Sequence, residues 1–203
     1  MDITTEIWEV VALLTILAFF FLAFLTASLP LTYWLGKIKY QILLSDYGPG
    51  SIGPSKLLRL AGSQAMILST FIEAGKGLII AILAYHSQIA ELYLWLVVPL
   101  IMVGHGWSPL LQGRGGNSWL PLGTYLFFLA PPLGQTALAL ALSALLLTRS
   151  PAIAATSSIL LLSILAPLWH VEGHMLATLW TATAILFMQN WLVYNHRIYT
   201  SEI

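Results

Sequence analysis

Charge is so scarce in this chain that it decides the fold class. The 203 residues carry eight Lys and Arg and eight Asp and Glu, 8% of the sequence, while 59% of residues are hydrophobic. An average soluble domain carries about 25% charged residues. Sixteen charged side chains cannot clothe a water-facing surface on a chain this long, so most of it faces lipid. A spanning helix takes about 20 predominantly apolar residues, which leaves room for six or seven. The expected fold is all-α, a polytopic membrane helical bundle, with residues 1–203 forming a single transmembrane domain. The formal net charge of zero argues against nucleic acid as a partner. The sequence has no cysteine, which excludes disulfides, thiolate metal sites and a cysteine nucleophile. The start, MDITTEIWEV, is acidic and lacks the basic opening of a secretory signal. The first apolar run therefore reads as a retained helix.

Seven apolar stretches are predicted to be helical. They run from about Ile7 to Thr26, continuing past Pro30 to Trp34, then Gln64–Tyr85, Leu92–Val103, Trp119–Leu129, Gly134–Leu147, Ala152–Leu168 and Leu176–Val193. Ala130-Pro131-Pro132 separates the fourth from the fifth, because consecutive prolines remove backbone donors and bar the preceding helix from continuing. Seven spans put Lys37, Lys39, Lys56, Arg59, Arg114, Arg149 and Arg197 on one side, with Lys76 inside the second span. The opposite loops hold no Lys or Arg. The bias of cationic loops toward the cytoplasm then places the N-terminus outside and the C-terminus inside. Merging the fourth and fifth spans would carry Arg149 and Arg197 to the wrong side.

Two glycine-rich segments fall on the cationic side, YGPGSIGPSKLLRLAG at Tyr47–Gly62 and GHGWSPLLQGRGGNSW at 104–119. Gly48, Gly50 and Gly53 can adopt positive φ and turn a row of N–H groups inward. With Lys56 and Arg59 beside them, such a row suits a phosphate, although an ordinary inter-helix loop has the same composition. Glu73 and Lys76 share one face of the second span. Ionisable groups at membrane depth mark a functional cavity or pair with each other to hold the bundle.

These motifs resemble, in order and spacing, the bacterial acyl-phosphate:glycerol-3-phosphate acyltransferases, the PlsY family. Ala27-Ser28-Leu29-Pro30 is similar to the family's Gly-Ser-Ile-Pro. Gly48, Gly50, Gly53, Arg59 and Gly62 match its first glycine signature without a gap. Glu73, Lys76 and Gly77 resemble its Asp-x-x-Lys-Gly, and Gly104, His105 and Pro109 its Gly-His followed by proline. Arg114, Gly115, Gly116, Asn117 and Ser118 resemble its Lys-Gly-Gly-Lys-Gly; Arg149, His196 and Arg197 complete the match. Several polar positions of the pattern differ: its serine is Pro49, an asparagine is Ser51, a lysine is Asn117 and a later serine is Ala152.

The resemblance implies a seven-span enzyme of the bacterial inner membrane that moves an acyl group from acyl-phosphate to glycerol-3-phosphate, giving lysophosphatidic acid for phospholipid synthesis. It implies no cofactor and no metal. Acyl transfer from a mixed anhydride needs two anions held close and a hydroxyl aligned on a carbonyl. The substrate-binding set is then Gly48, Gly50, Gly53, Lys56, Arg59, Lys76, Arg114, Gly115, Gly116, Asn117 and Arg197. His105 and His196 are the candidate proton carriers, with His105 equally readable as a hydrogen-bonded bundle histidine. The replaced polar positions also admit a second reading: an inactive paralogue kept as a structural or lipid-binding subunit beside other membrane proteins. His170, Glu172 and His174 have helical metal-ligand spacing, which an interfacial polar turn explains as well. The eight tryptophans lie mostly near span ends, as in an aromatic belt.

Overall fold

In the computed structural model the backbone is described for residues 3–48 and 51–200, and side chains for residues 6–48 and 51–192. Those residues form helices and turns only. In chain order the helices are α1 (Ile3–Ser28), α2 (Leu31–Lys39), α3 (Pro54–Ala61), α4 (Ser63–Ser87), α5 (Glu91–Gly106), α6 (Trp119–Leu129), α7 (Pro131–Thr148), α8 (Pro151–Leu165) and α9 (Gly173–Thr200). Each of the seven apolar stretches is a helix. Five segments are long and apolar enough to cross a membrane: Glu6–Lys39, Ser63–Ser87, Glu91–Leu111, Pro131–Thr148 and Pro151–Trp169. α6 is short, with 11 residues, and α9 has 28.

The prolines place the boundaries. The first span does not continue as one helix to Trp34, because the chain turns at Leu29 and Pro30 before α2 begins. Pro30 has no N–H to give to the preceding turn, and Ser28 Oγ folds back to donate to the Phe24 carbonyl at 2.7 Å. At the other break, Ala130 takes φ −136° and ψ 79°, and Pro131 is the first residue of α7 rather than part of a loop. Proline is at home there, since its missing N–H would have had no partner in the first helical turn.

The bundle is apolar inside and out. Leu146, Leu147 and Phe71 are 81, 86 and 73% exposed, as expected where lipid is the solvent. Inside lie Trp95, Tyr125, Ile101, Leu122, Ile159 and Leu162, all fully buried. Lipid tails are as apolar as these side chains, so close packing and interhelical hydrogen bonds hold the helices. Small residues permit the approach. A Cβ at Gly104 of α5 would come within 2.8 Å of Ser28 Oγ and 2.9 Å of the Phe24 carbonyl on α1. A Cβ at Gly77 of α4 would overlap the Pro121 carbonyl of α6.

A second, smaller core sits at one end. Leu44, Ile52, Leu57 and Ala65 are buried together, with Tyr33, Tyr40, Ile42 and Leu111 against them. It joins α2, the glycine-rich segment, α3 and the start of α4. The stretch read from sequence as one loop thus contains a helix, α3, opened by Pro54 at its first position.

Candidate active site

The site begins with one face of α4. Glu73 and Lys76 are 2% and 1% exposed and pair at 2.9 Å, three residues apart. The pair binds itself together and also lines a cavity. Thr32 Oγ1 of α2 donates to Glu73 Oε1 and is 2.8 Å from Ser69 Oγ, so three hydroxyl and carboxyl groups link α2 to α4. From α5, His105 Nδ1 lies 3.4 Å from both Lys76 Nζ and Glu73 Oε2. The imidazole is 5% exposed and meets the backbone of Ala27 and Asn117 as well. Buried charges are tolerated when they are paired and hydrogen-bonded, and here each charged group has a partner on another helix or one turn away.

A narrow cavity opens over this cluster. Its polar lining is Ser28, Thr32, Glu73, Lys76, His105 and Ser108, and Gly115 and Gly116 close one wall. Ser108 Oγ donates to the Ser28 carbonyl at 2.6 Å, pinning the end of α1 to the segment after α5.

The two glycine-rich segments meet at this cavity. The Ile52 N–H donates to the Gly115 carbonyl at 2.8 Å, and the Gly116 N–H donates to the His105 carbonyl at 3.1 Å. The approach requires glycine. A Cβ at Gly115 would overlap the carbonyls of His105 and Gly106, and one at Gly116 would strike the His105 ring and come within 2.9 Å of the Ile52 carbonyl.

Not every predicted site residue reaches the cavity. Gly48 has φ +72°, as the nest requires. Gly53 does not: its φ of −156° is extended backbone, and it serves as the N-cap of α3. Gly62, at +84°, is a second positive-φ glycine of the segment. Gly50 lies outside the described residues, as do the side chains of His196 and Arg197. Lys56 turns inward, 3% exposed, with Nζ donating to the carbonyls of Leu44 and Gly48 at 3.1 Å each. It staples the small core. Arg59 and Arg114 are exposed and outside the cavity lining. Asn117 Nδ2 donates to Asn190 Oδ1 of α9 at 3.3 Å, and its own Oδ1 accepts from the Trp119 N–H at 3.1 Å.

Sequence reasoning missed Thr32, whose hydroxyl holds Glu73, and Ser69, whose hydroxyl bonds Thr32. A lone Thr or Ser in an apolar helix carries no periodic signal, and only the fold brings residues 32, 69 and 73 together. The resemblance pointed to Ser28 but gave it no role. At the start of α9, His174 Nδ1 is 3.2 Å from Oε2 of Glu172, the residue just before the helix. No group of three or more His, Cys, Asp or Glu that could hold a metal occurs among the described residues.

Residues 17–202 match the family model described as glycerol-3-phosphate acyltransferase. Glycerol-3-phosphate acyltransferase 1 of Deinococcus radiodurans is 28% identical over 184 residues, covering 91% of this chain and 89% of the relative. The glycerol-3-phosphate acyltransferase of Laribacter hongkongensis is 30% identical over 176 residues, covering 80% of this chain and 87% of the relative. The crystal structure of PlsY (YgiH), an integral membrane glycerol 3-phosphate acyltransferase in its glycerol 3-phosphate form, superposes with a TM-score of 0.77. It covers 91% of this chain and 92% of that one at 18% identity. The lysophosphatidic acid form of the same protein gives 0.74.

Proposed function

The chain belongs to the glycerol-3-phosphate acyltransferase family, and from that footing we propose that it is a multi-pass acyltransferase of the bacterial cytoplasmic membrane acting on glycerol-3-phosphate. The acyl donor is acyl-phosphate and the product lysophosphatidic acid, a first step toward phospholipid. The N-terminus lies outside and the cationic end of the bundle inside, where both substrates arrive. The observation that carries the reading is the junction of the two glycine-rich segments, Ile52 to Gly115, over the buried Glu73, Lys76 and His105.

The reaction is an attack of a glycerol-3-phosphate hydroxyl oxygen on the acyl carbonyl carbon. An ester C–O bond forms, the anhydride C–O bond breaks, phosphate leaves with the bonding pair, and the hydroxyl proton passes to a base. Phosphate is a good leaving group, so the protein mainly positions and stabilises charge. Backbone N–H groups of the glycine segments and Lys76 would receive the phosphates. His105, lining the cavity, would take the proton, and His196 with Arg197 would act from the end of α9. Exposed Arg59 and Arg114 would draw anions toward the mouth by their field.

Purified protein supplied with an acyl-phosphate and radiolabelled glycerol-3-phosphate is expected to release labelled lysophosphatidic acid. Folded protein that shows neither transfer nor saturable binding of glycerol-3-phosphate would sink the reading.

A further inference from the structure

Two adjacent amides on α9 hold the glycine wall of the cavity in place. Gln189 is 7% exposed. Its Nε2 donates to the Met102 carbonyl of α5 at 3.1 Å and to Ser118 Oγ at 2.8 Å, and its Oε1 accepts from the Ser118 N–H at 3.3 Å. Ser118 Oγ in turn donates to the same Met102 carbonyl at 2.8 Å. The fit is close enough that a Cβ at Gly106 would overlap the Gln189 amide.

Asn190 points to the other side of the same wall. Its Nδ2 donates to Thr156 Oγ1 at 2.6 Å and to the Ala152 carbonyl at 3.3 Å, both on α8, and its Oδ1 accepts from Asn117. Four consecutive residues, 115 to 118, are thus tied in turn to Ile52, to His105, to Asn190 and to Gln189. The first two ties shape the cavity. The last two come from a helix whose described side chains do not line it.

In hydrocarbon an unpaired amide finds no water to replace a lost partner, so these bonds have a reason to persist. We propose that Gln189 and Asn190 are positioning residues: through Ser118 and Asn117 they lock segment 115–118 against α5 and α8, and so set how well the site holds its anionic substrate. The proposal rests on the acyltransferase reading for its kinetic consequence, but the clamp itself is a physical claim about the segment.

The experiment compares full-length wild type with Gln189→Met, which keeps the volume and loses the hydrogen bonds, and with Asn190→Ala. Two readouts are taken, steady-state kinetics and the rate of tryptic nicking after the exposed Arg114. Losing two or three buried hydrogen bonds is expected to raise KM for glycerol-3-phosphate about tenfold, with kcat changed far less and nicking several-fold faster. Unchanged KM and nicking in folded variants would overturn the proposal. So would a proportionate fall of kcat and unfolding midpoint with KM held, the mark of a general packing defect. If Gln189→Met does not fold, Asn190→Ala, whose contacts are only part-buried, decides alone. If the wild type transfers no acyl group, the functional reading fails, while the nicking rates still show whether the clamp exists.

Discussion

Glu73 and Lys76 form an ion pair at 2.9 Å, one turn apart on α4, with almost no exposed surface. Removing one partner strands the other charge in a low-dielectric interior. Glu73→Gln and Lys76→Met are therefore each expected to destabilise the fold by about 3–5 kcal/mol, and the double variant to recover much of that loss. Unfolding in detergent, arranged as a double-mutant cycle, measures the coupling. Additive costs would show that each charge finds its own solvation.

Gly77 and Gly123 make opposite predictions although both sit in helices. A Cβ at Gly77 overlaps the Pro121 carbonyl and lies 2.9 Å from Thr124 Cβ, so α4 and α6 must part. Gly77→Ala is expected to cost about 1–3 kcal/mol. At Gly123 the nearest atoms belong to Trp119, at 3.8 Å and beyond. Gly123→Ala meets no obstacle and gains helix propensity, leaving stability unchanged or raised by up to about 1 kcal/mol. Unfolding midpoints of the two variants should fall on opposite sides of the wild type or nearly so.

Gly116→Ala tests the cavity wall rather than the bundle. The added methyl would press on the His105 ring and the Ile52 carbonyl, shifting two elements of the site at once. A misplacement of about 1 Å can cost about 100-fold in rate, so kcat/KM is expected to fall at least tenfold while the helical content by circular dichroism is retained. Wild-type kinetics in this variant would remove the His105 and Gly116 contact from any account of the reaction.

Arg59 and Arg114 are exposed, and their expected contribution is long-range. Arg59→Ala and Arg114→Ala should raise KM for glycerol-3-phosphate a few-fold at low ionic strength. The difference from wild type should shrink as salt approaches about 0.5 M, since the Debye length falls from about 10 Å at 0.1 M toward 3 Å at 1 M. A defect that persists undiminished in high salt would mean that these side chains touch the substrate directly.

The helices are legible in the sequence because lipid demands long apolar runs, and charge, glycine or proline marks the interruptions. The end of Trp119–Leu129 is legible, since Ala130-Pro131-Pro132 follows. Pro131 is harder, because a proline that stops one helix is also the preferred opener of the next. The glycine segments are recognisable as close-approach elements, but their roles are not. Gly53 caps a helix in extended backbone, and Lys56 is consumed by the carbonyls of Leu44 and Gly48. Sequence shows that a lysine is present; only the path of the chain between Leu44 and Lys56 shows which way it turns. Thr32, Ser69, Gln189 and Asn190 are invisible for the same reason, since their partners are up to 87 residues away.

The brevity of α6 has a consequence for how reactants reach the site. α6 and α7 leave the same turn at Ala130 and pack on one another, yet α7 runs for 18 residues and α6 for 11. At 1.5 Å per residue, Trp119 stops about 10 Å short of the level that α7 attains. The segment from Gly115 to Ser118 therefore starts alongside α7 rather than beyond its end. On the proposed function, a phosphate would pass the end of α7 to meet it, while the acyl tail would stay beside the apolar outer faces of the helices.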